Sequence, residues 1–202
     1  MRYLITIALL AQPLAALPLI TNGSFEEPRL SSTQNLSGPF TLGAWSGYAP
    51  SQGGNAGLVV GPDNGLSPAD GTQHFTFNGG NPSDRGYLEQ TLPTLAGQLY
   101  ELTFALGRAG GGQPLSLALT LNTSPALTYQ PPSSLGYALY TLNYTATGPT
   151  TLRFTDTSEG NSISDLYLDA VSLTQATPLP DHSSPAAEMI IALGLLLLAR
   201  RR

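Results

Sequence analysis

The chain has 202 residues, 41% of them hydrophobic and only 10% charged, with 22 glycines, 17 prolines, no cysteine and a net charge of −5. That is enough apolar material for one core with many turns, and it excludes disulfides, thiol catalysis and cysteine-ligated zinc. Basic residues number eight, all arginine, and only 4 of them fall between residues 17 and 185, against 12 acids; an acidic body without a basic patch excludes nucleic acid as a partner and is compatible with cations or neutral sugars.

The first element is a targeting signal. Met1-Arg2, the apolar run Tyr3 to Leu10 and the small-residue stretch Ala11 to Ala16 have the three-part plan of an export signal, with cleavage expected after Ala16. The run is too short to span a bilayer; the alternative is a buried first strand. From residue 17 to 177 no segment keeps a helical period, and several keep period two. Phe75 and Phe77 share a face. So do Tyr100, Leu102, Phe104 and Leu106, then Leu115, Leu117, Leu119 and Leu121, then Ala138, Tyr140, Leu142 and Tyr144, then Leu152 and Phe154, and finally Val171 and Leu173. Turn clusters such as Gly79-Gly80-Asn81-Pro82, Gly110-Gly111-Gly112 and Thr147-Gly148-Pro149 separate these runs. Short strands with one apolar face each predict a single all-β antiparallel sandwich of the jelly-roll kind. Leu30 to Gly71 is richer in Ser, Gly, Pro and Asn and is expected to be long loops with one or two short strands.

The third element is residues 178–202: Pro178-Leu179-Pro180-Asp181, a polar spacer, the apolar run Ala186 to Ala199 and Arg200-Arg201-Arg202. A run of 14 residues that contains Glu188 falls short of the roughly 20 of a full span, and the arginines favour retention on the cytoplasmic side. This tail resembles the PEP-CTERM class of bacterial sorting tails, with Pro-Leu-Pro-Asp where that class has Pro-Glu-Pro; the alternative is a plain C-terminal anchor. The resemblance implies an exported bacterial protein, held in a membrane transiently or permanently. Its partners would be the export and sorting machinery, and its destination the cell surface or extracellular matrix.

The mature start, Asn22-Gly23-Ser24-Phe25-Glu26, resembles the opening of exported jelly-roll domains of the galactose-binding-like superfamily of carbohydrate-binding modules. Trp45, Asp70-Gly71-Thr72, Leu88 to Leu92, Ala96 to Phe104 and the closing Leu168-Asp169-Ala170-Val171-Ser172-Leu173 follow in that family's order. The closing motif has Ala170 where an Asp is common. The resemblance spans about residues 19 to 174. It implies a glycan-binding module with an extracellular polysaccharide as partner. The candidate stacking residues are Trp45, Tyr48 and Tyr87, with Tyr129 and Tyr137 behind them. It also implies a structural Ca²⁺ joining the first and last strands through Glu26 and Asp169, with carbonyls near Asn22 and Gly23 as further ligands. The period of the last strand puts Asp169 on its apolar face, where a carboxylate needs a metal, a hydrogen-bonded cap or a partner such as Arg153.

Catalysis finds little in the sequence. His182 lies in the tail spacer, and His74 alternates with Phe75 and Phe77, so it is expected to face solvent. Glu89 and Glu101 could be a glycosidase pair only if they faced each other across a cleft. The expected function is a non-catalytic surface or matrix protein that binds glycan; the alternative is a structural surface or assembly unit without a sugar ligand.

Overall fold

The computed structural model of the chain describes residues 18–50, 56–77, 85–111, 114–159 and 164–176. The expected export signal and sorting tail lie outside them. Among the described residues there are twelve strands and no helix: β1 Gln34–Asn35, β2 Gly38–Leu42, β3 Trp45–Ala49, β4 Gly57–Val60, β5 Gln73–Thr76, β6 Tyr87–Leu92, β7 Leu99–Gly110, β8 Leu117–Leu121, β9 Leu127–Tyr129, β10 Gly136–Thr145, β11 Thr150–Asp156 and β12 Ser164–Gln175. Two six-stranded sheets result, one in the order β1-β4-β5-β12-β7-β10 and the other β2-β3-β6-β11-β8-β9. All pairings are antiparallel. This is the predicted jelly-roll sandwich.

The period-two faces meet between the sheets. Tyr100, Leu102, Phe104 and Leu106 of β7 and Leu166, Leu168 and Leu173 of β12 pack against Leu88, Leu117, Leu119, Leu152 and Phe154 of the second sheet. Burial of such side chains at roughly 25 cal/mol per Å² is the main force holding a disulfide-free domain together. The stretch Leu30 to Gly71 holds four strands, β1 to β4, where one or two were expected. They have two to five residues each, too short for alternation to stand out from the Gly and Pro around them.

The last strand corrects a second expectation. Asp169 pairs with Ala105, but the next aligned pair is Ser172 with Thr103. One extra residue of β12 therefore sits opposite Phe104, and Ala170 turns it with a φ of 50°. This β-bulge reverses the side-chain phase. Val171 and Leu173 face the core, whereas Asp169 lies with Tyr167 and Asp165 on the outer face of the first sheet. Period counting across a bulge assigns the wrong face to every residue on one side of it.

Candidate functional site

The outer face of the first sheet is partly roofed by residues 61–72. Leu66 packs on Val59, Ala109 and Tyr167, forming a small second core with Tyr137 against it. Gly107 makes room for the Tyr137 ring, because a Cβ there would sit 2.5 Å from its nearest ring carbon. Under this roof lies a polar cluster. The Tyr137 hydroxyl is 2.7 Å from His74 Nδ1, and the His74 ring lies 4.5 Å from that of Tyr167. Tyr167 donates its hydroxyl hydrogen to Asp63 at 2.6 Å, and Asn64 donates to Asp165 at 3.0 Å. The expectation of a solvent-facing His74 is thus overturned: it is on the outward side of β5, yet 0% exposed. Burial lowers its pKa to about 4, with Asp63 pulling the other way. Its imidazole is therefore neutral at physiological pH. Desolvation likewise raises the pKa values of Tyr137 and Tyr167.

The two expected calcium ligands grip one loop. Glu26 Oε1 accepts the backbone N–H groups of Thr72 and Gln73, each at 2.7 Å, and Oε2 accepts the Thr72 hydroxyl at 2.7 Å. Gly71 is required beneath it: its φ is +69°, and a Cβ would come within 2.3 Å of Oε1. Asp169 Oδ2 accepts the N–H groups of Ala69 at 2.8 Å and Asp70 at 3.0 Å, and Oδ1 that of Ala170 at 2.7 Å. The carbonyls expected to complete a calcium site accept hydrogen bonds as well. The Asn22 oxygen accepts from Phe25 N and Trp45 Nε1, and the Gly23 oxygen from Val171 N. Three of the roughly four acceptor positions on each carboxylate are therefore engaged by protein donors, and among the described residues no group of three or more acidic, histidine or cysteine side chains could hold a metal. The joint expected of the metal exists nonetheless. Opening segment and last strand are tied to each other through the amides of residues 69–73.

Electrostatics differ sharply between the two clamps. For Glu26 burial is the largest single effect and raises the pKa, but the Thr72 and Gln73 hydrogen bonds and Arg29 together outweigh it, so the pKa is lowered. Asp169 is 0% exposed, and desolvation raises its pKa to about 7 despite three N–H donors.

The second sheet presents the other outward face. Pairing aligns Pro39, Tyr48, Tyr87, Thr155, Ala118 and Thr128 across all six strands. The Tyr48 and Tyr87 rings are half-buried and stacked, with centroids 6.4 Å apart and planes 25° from parallel. In the next row Arg153 bonds Glu89 through Nε at 2.7 Å and through a terminal nitrogen at 2.6 Å, and its guanidinium carbon lies 4.1 Å over the Tyr87 ring. Two expected stacking residues, Tyr48 and Tyr87, are therefore neighbours, with a fixed charge pair beside them. The sequence reading missed Glu89 and Arg153 as members of this face. Their pairing depends on strand order, which alternation within a strand does not reveal.

Trp45 is not on that face. It is 1% exposed, packed at a tilt against Phe25 at 5.7 Å and Phe154 at 6.4 Å, and its indole N–H donates to Asn22 O at 2.9 Å. Its position, 45, is one out of phase with outward-facing Tyr48, so it points into the core, and no ring face is available to a sugar. Tyr129 points inward as well, packed edge-on against Phe104 at 5.1 Å, and Tyr137 belongs to the roofed cluster. Glu89 and Glu101 lie on different sheets, both facing outward, so they cannot oppose each other across one cleft. A separate recess of about 350 Å³ at one end of the sandwich is lined by Leu121, Asn122, Tyr144, Thr147 and Thr150 among others.

No protein-family model matches the chain, and no curated protein matches it. Solved structures do. A candidate sugar-binding protein from Bacteroides thetaiotaomicron superposes with a TM-score of 0.50 at 14% identity, covering 79% of this chain and 100% of that one. The structural neighbours include jelly-roll carbohydrate-binding modules. One is the CBM22-1 xylan-binding domain of Paenibacillus barcinonensis Xyn10C, with a TM-score of 0.49 at 13% identity, covering 82% of this chain and 98% of that domain. The enzymatically active domain of bacteriophage CBA120 tailspike protein 4 superposes with a TM-score of 0.50 at 12% identity over 79% of this chain, which spans only 21% of the tailspike chain. At these identities the likeness establishes the fold and nothing finer.

Proposed function

We infer that this chain is a non-catalytic, exported surface or matrix protein whose sandwich binds a neutral glycan on the outer face of the second sheet. The observation that carries this reading is the Tyr48–Tyr87 pair beside the Glu89–Arg153 ion pair. Aromatic rings offer apolar faces of the size of a pyranose ring, and a guanidinium and a carboxylate held in place supply donors and acceptors for sugar hydroxyls without a reordering cost. An acidic body and a paired arginine leave no excess positive charge to favour an acidic polysaccharide. A likeness in fold to a candidate sugar-binding protein supports the same reading. Export and anchoring rest on the first 16 and last 25 residues, as read from the sequence.

The test is retardation of the full chain in native gels containing soluble neutral polysaccharides. Retardation by at least one of them, lost in Tyr87→Ala and reduced in Tyr48→Ala while Trp45→Phe behaves as wild type, supports the reading. Equal mobility of all four proteins in every polysaccharide sinks it. The alternative, a structural surface unit with no sugar ligand, draws on the burial of Trp45, which removes the largest aromatic from the exposed face; it is the reading that survives if no polysaccharide retards the chain.

A further inference from the structure

A two-sheet sandwich has four edges, and each exposes a row of unpaired backbone N–H and C=O groups. Three edges of this domain are blunted. β1 has two residues, β9 has three, and β2 has five, with Pro39 among them. The fourth, β10, is unlike them. It runs for ten residues, Gly136 to Thr145, and all ten pair with β7 in one unbroken register without a bulge. Its sequence, Gly-Tyr-Ala-Leu-Tyr-Thr-Leu-Asn-Tyr-Thr, has no charge and no proline. Among the described residues no strand pairs with its other side. The devices by which natural proteins keep an edge from pairing are absent here.

The side chains show the same incompleteness. Tyr140, Leu142 and Tyr144 point toward the core but are only partly buried. On the outward side Leu139 is 72% exposed, the most exposed large hydrophobic residue of the described chain, and Leu135, just before the strand, is 53% exposed. An apolar ladder left half-covered along a straight, neutral edge is built to receive another strand.

We propose that β10 is an interface strand, through which two copies of this chain join edge to edge about a two-fold axis and merge their first sheets into one. An antiparallel copy is the occupant the edge fits. A strand without charges meets its own copy with no like-charge pair at any register, whereas like charges directly opposite are destabilising. A two-fold contact also uses one patch twice, which makes it closed and self-limiting. The outward residues of β10 are the odd-numbered ones, so faces are preserved only in registers that pair odd with odd. The register that sets Leu139 against its own copy also pairs Tyr137 with Thr141, Ala138 with Tyr140 and Leu135 with Asn143. It covers both exposed leucines and closes the half-open side of the core. The interface leaves the outer face of the second sheet untouched, so loss of pairing and loss of glycan retention are separate outcomes.

The absence of cysteine gives a direct test on the full chain. Leu139→Cys places two thiols against each other across the axis, at the 4.5–5.5 Å Cβ spacing of opposed strand residues, close to what a disulfide needs. Leu95→Cys puts a thiol of similar exposure, 64% in wild type, in the turn between β6 and β7, outside the strand and beyond the end of its ladder with β7. At about ten micromolar protein under mild oxidation, the Leu139→Cys disulfide dimer should form on the order of a hundredfold faster than that of Leu95→Cys, since pairing sets an effective thiol concentration of about a millimolar. Adding Thr141→Pro to Leu139→Cys should bring the rate down to that of Leu95→Cys, with circular dichroism confirming that the domain stays folded. Equal rates for the two single-cysteine proteins overturn the proposal, as does a sedimentation coefficient of wild type that remains that of a monomer up to a hundred micromolar. Disulfide formation at Leu139 that survives Thr141→Pro overturns it too, since it marks collision rather than strand pairing.

Discussion

Replacing Trp45 with alanine separates a core role from a ligand role. The indole is 1% exposed, in contact with Phe25 and Phe154, and bonded to the Asn22 carbonyl. Truncation removes the transfer energy of the ring and leaves a cavity, together about 3–5 kcal/mol. The lost hydrogen bond adds little, because the Asn22 oxygen keeps the Phe25 N–H and is not left bare. For a domain of this size the thermal midpoint should fall by roughly 10 °C or more. Trp45→Phe, which keeps most of the volume, should lose about 1–2 kcal/mol. Circular dichroism melts of the full chain measure both. As the sole tryptophan, Trp45 also reports on itself: its emission should be that of a buried indole and should not change when a retained polysaccharide is added. If Trp45→Ala leaves the midpoint within 2 °C of wild type and abolishes retention, the packing described for the core is wrong and the residue belongs to a binding face.

Two further outcomes follow from the roofed cluster and the amide clamp. His74, with its pKa lowered to about 4, is neutral when folded and protonates more readily when unfolded, so its contribution to stability is lost as pH falls from about 6.5 to 4, on the order of 3 kcal/mol in all. Asp169, with its pKa raised to about 7, has the opposite sign: the folded state holds the proton more tightly, so stability is lost as pH rises from about 4 to 7. The two slopes offset each other in wild type. His74→Phe should therefore become less stable on going from pH 4.5 to 7, and Asp169→Asn more stable, in denaturant titrations; parallel profiles for the two variants would refute the assignment. Because three protein donors already engage each of the Glu26 and Asp169 carboxylates, millimolar Ca²⁺ and EDTA should give the same melting midpoint for the full chain. A site occupied at a hundred times its dissociation constant would instead add about 2.7 kcal/mol, and a loss of several degrees in EDTA would show that a metal is held after all.

How much was legible in the sequence depended on strand length and regularity. Long strands such as β7 and β10 repeat the same chemistry at every second residue, so their core faces could be assigned one residue at a time. The short strands of Leu30 to Gly71 repeat too few times to be seen. The closing strand is the instructive failure. Asp169, Val171 and Leu173 are evenly spaced in the chain and lie on opposite faces in the fold, because the bulge at Ala170 inserts a residue that no alternation pattern predicts. His74 was misplaced for a different reason: its face was assigned correctly, but a strand pattern cannot show that a loop covers the outer surface. Tyr48 and Tyr87 were named singly as ring residues; their adjacency, and the Glu89–Arg153 pair beside them, arise from the neighbouring of β3, β6 and β11, which is a property of topology.

The first and last described segments lie side by side. Leu19 N–H donates to Leu173 O at 2.8 Å and Val171 N–H to Gly23 O at 2.9 Å, so the opening segment runs antiparallel to the end of β12. A force that pulled residues 18 and 176 apart would load these bonds singly, as in opening a zip, and would peel the opening segment at low tension. Tension applied to one end alone would not cross the sandwich. A domain joined this way is mechanically suited to hang from a single stalk and poorly suited to carry load within a chain of tandem units.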